Sequence, residues 1–236
     1  MRSVRLKILA AVLAVVVLVA AAVAYSHRRD ETSLAASLNG GNLAAAETLA
    51  AMQSARGGEL LADAARSTRA EVSAAAVMAV AKIKNWPKRD QVIVEAAKAP
   101  QYQTRQAAAV AIRQITKPRP VRQLEDPRYC QHLRALLKDP NEKVRASAAN
   151  SLGSLNAFYS TPDLIDALLK EDSPLARSAL QRALVSITRY PFEFSADKKA
   201  LSRELNNYLI EWDYAGKMRK WHVEGQKGPP PPVPPL

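Results

Sequence analysis

Four 12-residue segments of this chain can be laid over one another: they begin at Val72, Thr104, Val144 and Ala176 and end on Ile83, Ile115, Leu155 and Ile187. Their starts are spaced by 32, 40 and 32 residues. In register, Ala76, Ala108, Ala148 and Leu180 share one position, and Val80, Ile112, Leu152 and Leu184 share the next. Apolar residues four apart lie on the same face of a helix, so each segment reads as an amphipathic helix with one side to bury. A short helix cannot cover that side alone. A repeat of this length buries it by stacking copies of a helix pair.

The stretch Asp139–Leu155 shows the unit most fully. Asp139 stands where an N-cap belongs, with Pro140 at the first helical position and Glu142 placed to close a capping box. Val144, Ala148, Ala149, Leu152 and Leu155 follow as the apolar stripe. Upstream, Cys130–Lys138 carries Leu133, Leu136 and Leu137 as the stripe of a partner helix. Small-residue runs after a turn and a Val-Arg pair (Val144-Arg145) make this chain resemble the HEAT-repeat family, most clearly over 127–187 and less so over 58–115. Tetratricopeptide repeats fit less well, because their Trp, Gly and Tyr landmarks are missing at a 34-residue period.

The resemblance implies an all-α fold, a short right-handed α-solenoid of about five helix pairs. It also implies a ladder between repeats in which an Asp in the turn bonds an Arg six residues later. Asp139 with Arg145 fits that spacing, Glu171 with Arg177 fits in part, and Ala99 before Arg105 departs from it.

The chain divides, on this reading, into a membrane segment at 1–25, a polar linker at 26–32, repeats at 33–188, a capping helix region at 189–224 and a proline-rich tail at 225–236. Ser33–Asn39 and Leu43–Ala55 make the first pair, and Gly57-Gly58 then breaks the chain. Thr68 with Glu71 offers a second capping box, and Trp86-Pro87 starts a third pair. Lys117–Pro127 is a proline-stiffened insertion that accounts for the one spacing of 40. Thr161-Pro162 and Asp172-Ser173-Pro174 start the last two repeat helices. Tyr190, Phe192 and Phe194 form an aromatic elbow before a helix striped with Leu201, Leu205, Tyr208, Leu209 and Trp212, which closes the open end. Gly228–Leu236 holds six prolines in nine residues and reads as exposed polyproline II.

Ile8–Tyr25 runs 18 residues without a charge, bracketed by Arg2, Arg5 and Lys7 on one side and His27, Arg28 and Arg29 on the other. As a helix it spans about 27 Å, enough for a bilayer core. An uncleaved signal anchor fits better than a cleaved signal ending at Ala22-Val23-Ala24, because the run is long and holds no helix breaker. The flanking charges put the N-terminus inside. A membrane-anchored bacterial protein is expected, its body extracytoplasmic, periplasmic in a Gram-negative cell, or secreted if the head is cut.

Net charge is +12, but it is spread thinly along the chain, which favours a solvated basic surface over a nucleic-acid groove. Catalysis needs convergent groups, and the three His, His27, His132 and His222, stand beside no Glu and in no metal-ligand spacing. No catalytic residue, metal site or cofactor is expected, and Cys130, the only cysteine, can form no internal disulfide. HEAT-like glycosylases and bilin lyases are enzymatic precedents whose motifs find no match.

The remaining reading is a protein-binding scaffold, with a HEAT-like nucleic-acid binder or enzyme as the alternatives. The non-core positions of the second helices supply the candidate partner-binding residues: Lys82, Arg113, Gln114, Asn150 and Arg182, with Lys143 at one edge. Cationic or amide throughout, they suit an acidic or amide-rich segment of another protein.

Overall fold

The computed structural model describes the backbone of residues 2–118 and 126–223, with side chains described except at 2–15, 18, 127, 214–216 and 218–223. Among these residues it holds helices and no strand. The chain divides into two compact units, Met1–Ile115 and Thr116–Leu236.

The first unit contains α1 (Arg2–Asn39), α2 (Ala44–Ala51), α3 (Ala55–Ala65), α4 (Ala70–Val80), α5 (Arg89–Ala96) and α6 (Tyr102–Ile115). Consecutive helices pair as α1/α2, α3/α4 and α5/α6, and the pairs stack in two layers. First helices meet first helices (α1 on α3, α3 on α5), and second helices meet second helices (α2 on α4, α4 on α6). The stacking follows from the stripes: Val72, Ala76 and Val80 on α4 and Thr104, Ala108 and Ile112 on α6 are all fully buried.

The second unit contains α7 (Pro127–Leu136), α8 (Glu142–Ser154), a 3-10 turn at Phe158–Ser160, α9 (Thr161–Lys170), α10 (Pro174–Thr188) and α11 (Lys198–Val223). Here α7/α8 and α9/α10 pair, α8 lies along α10, and α11 packs on α9 as one more layer member. Val144, Ala148 and Leu152 face Ala176, Leu180 and Leu184 at the same buried positions. The five pairs expected from the repeat spacing are therefore present among the described residues, three in one unit and two in the other. The elbow forms as well: the Phe192 ring lies 4.7 Å from Tyr190, 5.2 Å from Phe194 and 5.0 Å from Tyr208 of α11.

Several local expectations are corrected. Residues 26–32 are not a linker but the middle of α1, which runs unbroken from Arg2 to Asn39. Glu31 explains why the helix persists: it is buried, its carboxylate accepts from Ser54 Oγ, and Arg56 lies 3.6 Å from it. Gly57 and Gly58 do not break the chain but sit inside α3. A Cβ at Gly58 would lie 2.6 Å from the buried Trp86 ring, so that glycine is where the next repeat comes close. The turn expected at Gly40-Gly41-Asn42 does form: Gly41 has a φ of +107° that suits glycine, and Arg69 fills the space beside it to bond the Asn39 carbonyl ending α1.

The capping boxes also differ. Asn141, not Asp139, caps α8 by accepting from Lys143 N, while Asp139 is buried and accepts from Asn141 N one step earlier. The carboxylate of Glu142 reaches Ser173 of the next repeat instead of its own N-cap. Arg69, not Thr68, is the N-cap of α4, and it makes no side-chain cap.

Among the described residues no helix is long and apolar enough to cross a membrane. Much of the apolar run Ile8–Tyr25 lies outside the described side chains; within it Val16, Val17, Val19, Val23 and Tyr25 are exposed. The body of the Lys117–Pro127 insertion and the tail 225–236 fall outside the described residues, as do the side chains of Trp221 and His222.

Candidate functional site

Within a helix pair, an arginine of the second helix closes the turn before it on backbone acceptors. Arg105 donates to the carbonyls of Ala99 and Pro100 at 2.9 and 2.7 Å, and Arg145 to those of Asp139 and Pro140 at 2.8 and 3.1 Å. Arg177 donates to the Glu171 carbonyl. The ladder expected between an Asp carboxylate and an Arg is thus an Arg-to-carbonyl bond six residues back. That is why Ala99, which has no side-chain acceptor, occupies the place as well as Asp139 does.

In the second unit Arg145 does more. Its Nε and Nη2 fork onto both oxygens of Glu171 in the next repeat, each at 2.7 Å. This bond and the one to Ser173 N hold the Glu171 carboxyl below its ordinary range against the opposing effect of burial. The same fork raises Arg145 further above its usual value.

With those arginines committed, the candidate residues can be placed. All six are exposed. Lys82 follows the end of α4 and pairs with Glu47 of α2, so its charge already has a neighbour; Gln53 bonds the Lys82 carbonyl and Lys84 N from the same side. The pairing arises because α2 and α4 lie side by side. Arg113 and Gln114 stand together on the last turn of α6 in the first unit, and Lys143 lies on the first turn of α8 in the second.

Asn150 and Arg182 are brought together. One repeat apart at the same register position, they line a shallow depression of about 190 Å³ on α8 and α10 with Gly153, Ser154, Ala183 and Ser186. A Cβ at Gly153 would lie 3.0 Å from Ala183 Cα, so the missing side chain is what lets the helices approach there. Arg182 Nη1 donates to Ser178 Oγ at 2.6 Å, and Ser154 Oγ to the Asn150 carbonyl at 2.9 Å. The serines and Gly153 were not singled out from the sequence. Small residues recur throughout these helices, and only their adjacency across the seam distinguishes them.

Two larger depressions lie along first helices and turns. One, about 320 Å³, is lined by Ala62, Ala65, Val92 and Ala96, with the Arg66–Glu95 ion pair (3.1 Å) among its lining. Glu95 is held below its usual range by Gln91 and then Arg66. The other, about 480 Å³, is lined by Asp166, Lys170, Asp172 and the Arg145–Glu171 fork. Among the described residues no group of His, Cys, Asp or Glu is placed to hold a metal ion.

Within each unit helix pairs stack in two layers, and the turns of α5/α6, α7/α8 and α9/α10 carry an Arg-to-carbonyl clasp, which together define an α-helical repeat protein. Residues 110–185 match the family model of HEAT repeats, a span from the end of α6 through most of α10. No curated protein matches the chain.

Proposed function

We propose that the chain is a membrane-tethered protein-binding scaffold that recognises an acidic segment of its partner with the exposed face of its second helices. HEAT repeats commonly serve protein interaction. The observation that carries the reading is the distribution of charge partners. Several cations face carboxylates, as in Lys88–Glu59, Arg66–Glu95, Lys82–Glu47 and Arg145–Glu171, whereas the exposed Arg113 and Arg182 on second helices meet no carboxylate among the described residues. An exposed guanidinium without an internal carboxylate gives an acidic ligand both steering and a bidentate contact.

The tether rests on the uncharged run Ile8–Tyr25 and on the exposed valines of α1 within it. Because α1 continues unbroken into the first repeat and Glu31 locks it to α3, such a tether has no flexible joint. The body then lies outside the cytoplasm.

The test is capture of partners from detergent-solubilised membranes by the full-length protein. Arg113→Glu with Arg182→Glu should leave helicity and Tm nearly unchanged and abolish capture. Capture that survives this change but is lost with Gly228–Leu236 would assign binding to the tail. A salt-sensitive mobility shift with duplex DNA at physiological ionic strength would favour nucleic acid instead. For the tether, resistance to carbonate extraction is expected, and recovery of a mature N-terminus near Tyr25 would overturn it.

A further inference from the structure

We infer that the depression at Asn150 and Arg182 is a two-point subsite for an Asp or Glu residue within an extended peptide, the carboxylate on Arg182 and the adjoining main chain on Asn150. The inference rests on the scaffold reading and specifies one contact within it.

Arg182 is positioned before any ligand arrives. Its Nη1 is drawn to Ser178 Oγ on the preceding turn of α10, which orients the guanidinium and leaves the Nε–Nη2 edge for an incoming acceptor. That edge matches a carboxylate with two parallel hydrogen bonds, a geometry an ammonium cannot supply. The surroundings select for an anion as well. Helix α10 contains no Asp or Glu, and the only acidic residue of α8, Glu142, is in its first turn and engaged with Ser173.

Asn150 stands at the same register position one repeat earlier and offers what Arg182 lacks, a donor and an acceptor on one planar group. That pair matches the N–H and C=O of an extended backbone. Gly153, lacking a Cβ, keeps the floor between the two low, and Ser154 and Ser186 complete its lining. A segment crossing α8 and α10 here meets an amide, a flat floor and then a fork.

The test uses the full-length protein in detergent and fluorescence anisotropy of a labelled poly-glutamate peptide, with a poly-glutamine peptide of equal length as control. The glutamate peptide should bind and the glutamine peptide should not. Arg182→Glu should weaken binding by roughly tenfold or more, and Arg182→Lys should recover only part of it, because the charge returns without the fork. Asn150→Ala should weaken binding severalfold with little change in its salt dependence, since it removes a neutral contact. Melting curves of the three variants should overlay that of the unmodified protein. Equal affinity for both peptides, or binding indifferent to Arg182→Glu, overturns the subsite. If glutamate binding is instead lost on Arg113→Glu alone, the scaffold reading stands and this subsite falls. If duplex DNA binds and the glutamate peptide does not, both fall.

Discussion

The two units bury the same apolar columns, but two of their seams, one in each unit, use different chemistry. In Met1–Ile115 the seam between α4 and α6 is a pair of buried hydroxyls: Thr104 Oγ1 donates to Ser73 Oγ at 2.9 Å, and Ser73 Oγ donates to the Ala65 carbonyl at 2.5 Å. In Thr116–Leu236 the register position of Ser73 is held by Arg145, and the seam is the forked pair with Glu171, whose side chain is only 3% exposed. A neutral chain of hydroxyls loses little when trimmed, because each hydrogen bond replaces one to water. A nearly buried carboxylate depends on its one cation, and removing that partner leaves a charge in a poor solvent. Equivalent places in the repeat therefore carry unequal consequences.

The largest effect should be the one that does not distinguish the units. Val80→Asp and Leu152→Asp each place a charge at a fully buried column position and should each cost at least about 4 kcal/mol. Far-ultraviolet circular dichroism in a urea titration would measure it. If one of the two is tolerated, the shared column is not the common core of both units.

Next in size comes the charged seam. Arg145→Ala should cost about 3 kcal/mol by leaving Glu171 buried and unpaired, while Arg145→Met with Glu171→Leu should recover most of that loss. A double change no better than the single one would show that the fork itself, not the orphaned charge, carries the energy. The same pair gives a pH test. Because Glu171 is held below its unfolded value, its contribution is fully present above the ordinary carboxylate range near about 4.3 and is lost as pH falls through the lower folded value. Acid should therefore weaken the second unit, and Glu171→Gln should flatten that dependence.

Smaller still is the neutral seam. Ser73→Ala should cost about 1–2 kcal/mol, with no change in acid sensitivity. A loss as large as that of Arg145→Ala would remove the contrast between the seams. Smallest is Arg66→Ala: the Arg66 and Glu95 side chains are both roughly half exposed, and their surface pair should contribute less than about 0.5 kcal/mol to Tm-derived stability.

The apolar columns were legible because burial leaves a periodic signal. Every position from Val72 to Ile187 that the overlay assigned inward is buried except Ile115, which is half-exposed at the end of α6. Candidate partner residues were legible only as outward positions. The charge neighbour of Lys82 was not, since Glu47 comes beside it only because α2 and α4 lie adjacent, whereas Ser178 four residues before Arg182 on α10 was within reach of helical spacing.

The sequence by itself determined the helix-pair repeat, its inward columns and the closing aromatic helix, because local hydrophobic spacing dictates which face of a helix must leave water. Only the tertiary structure decided where polar groups found partners. Glu31 makes the supposed linker a docked helix, the Arg ladder ends on carbonyls, and Asn141 takes the cap from Asp139. A polar side chain has several acceptors within reach in the extended chain. Which one it keeps is settled by the desolvation that packing imposes and by the groups that packing brings alongside.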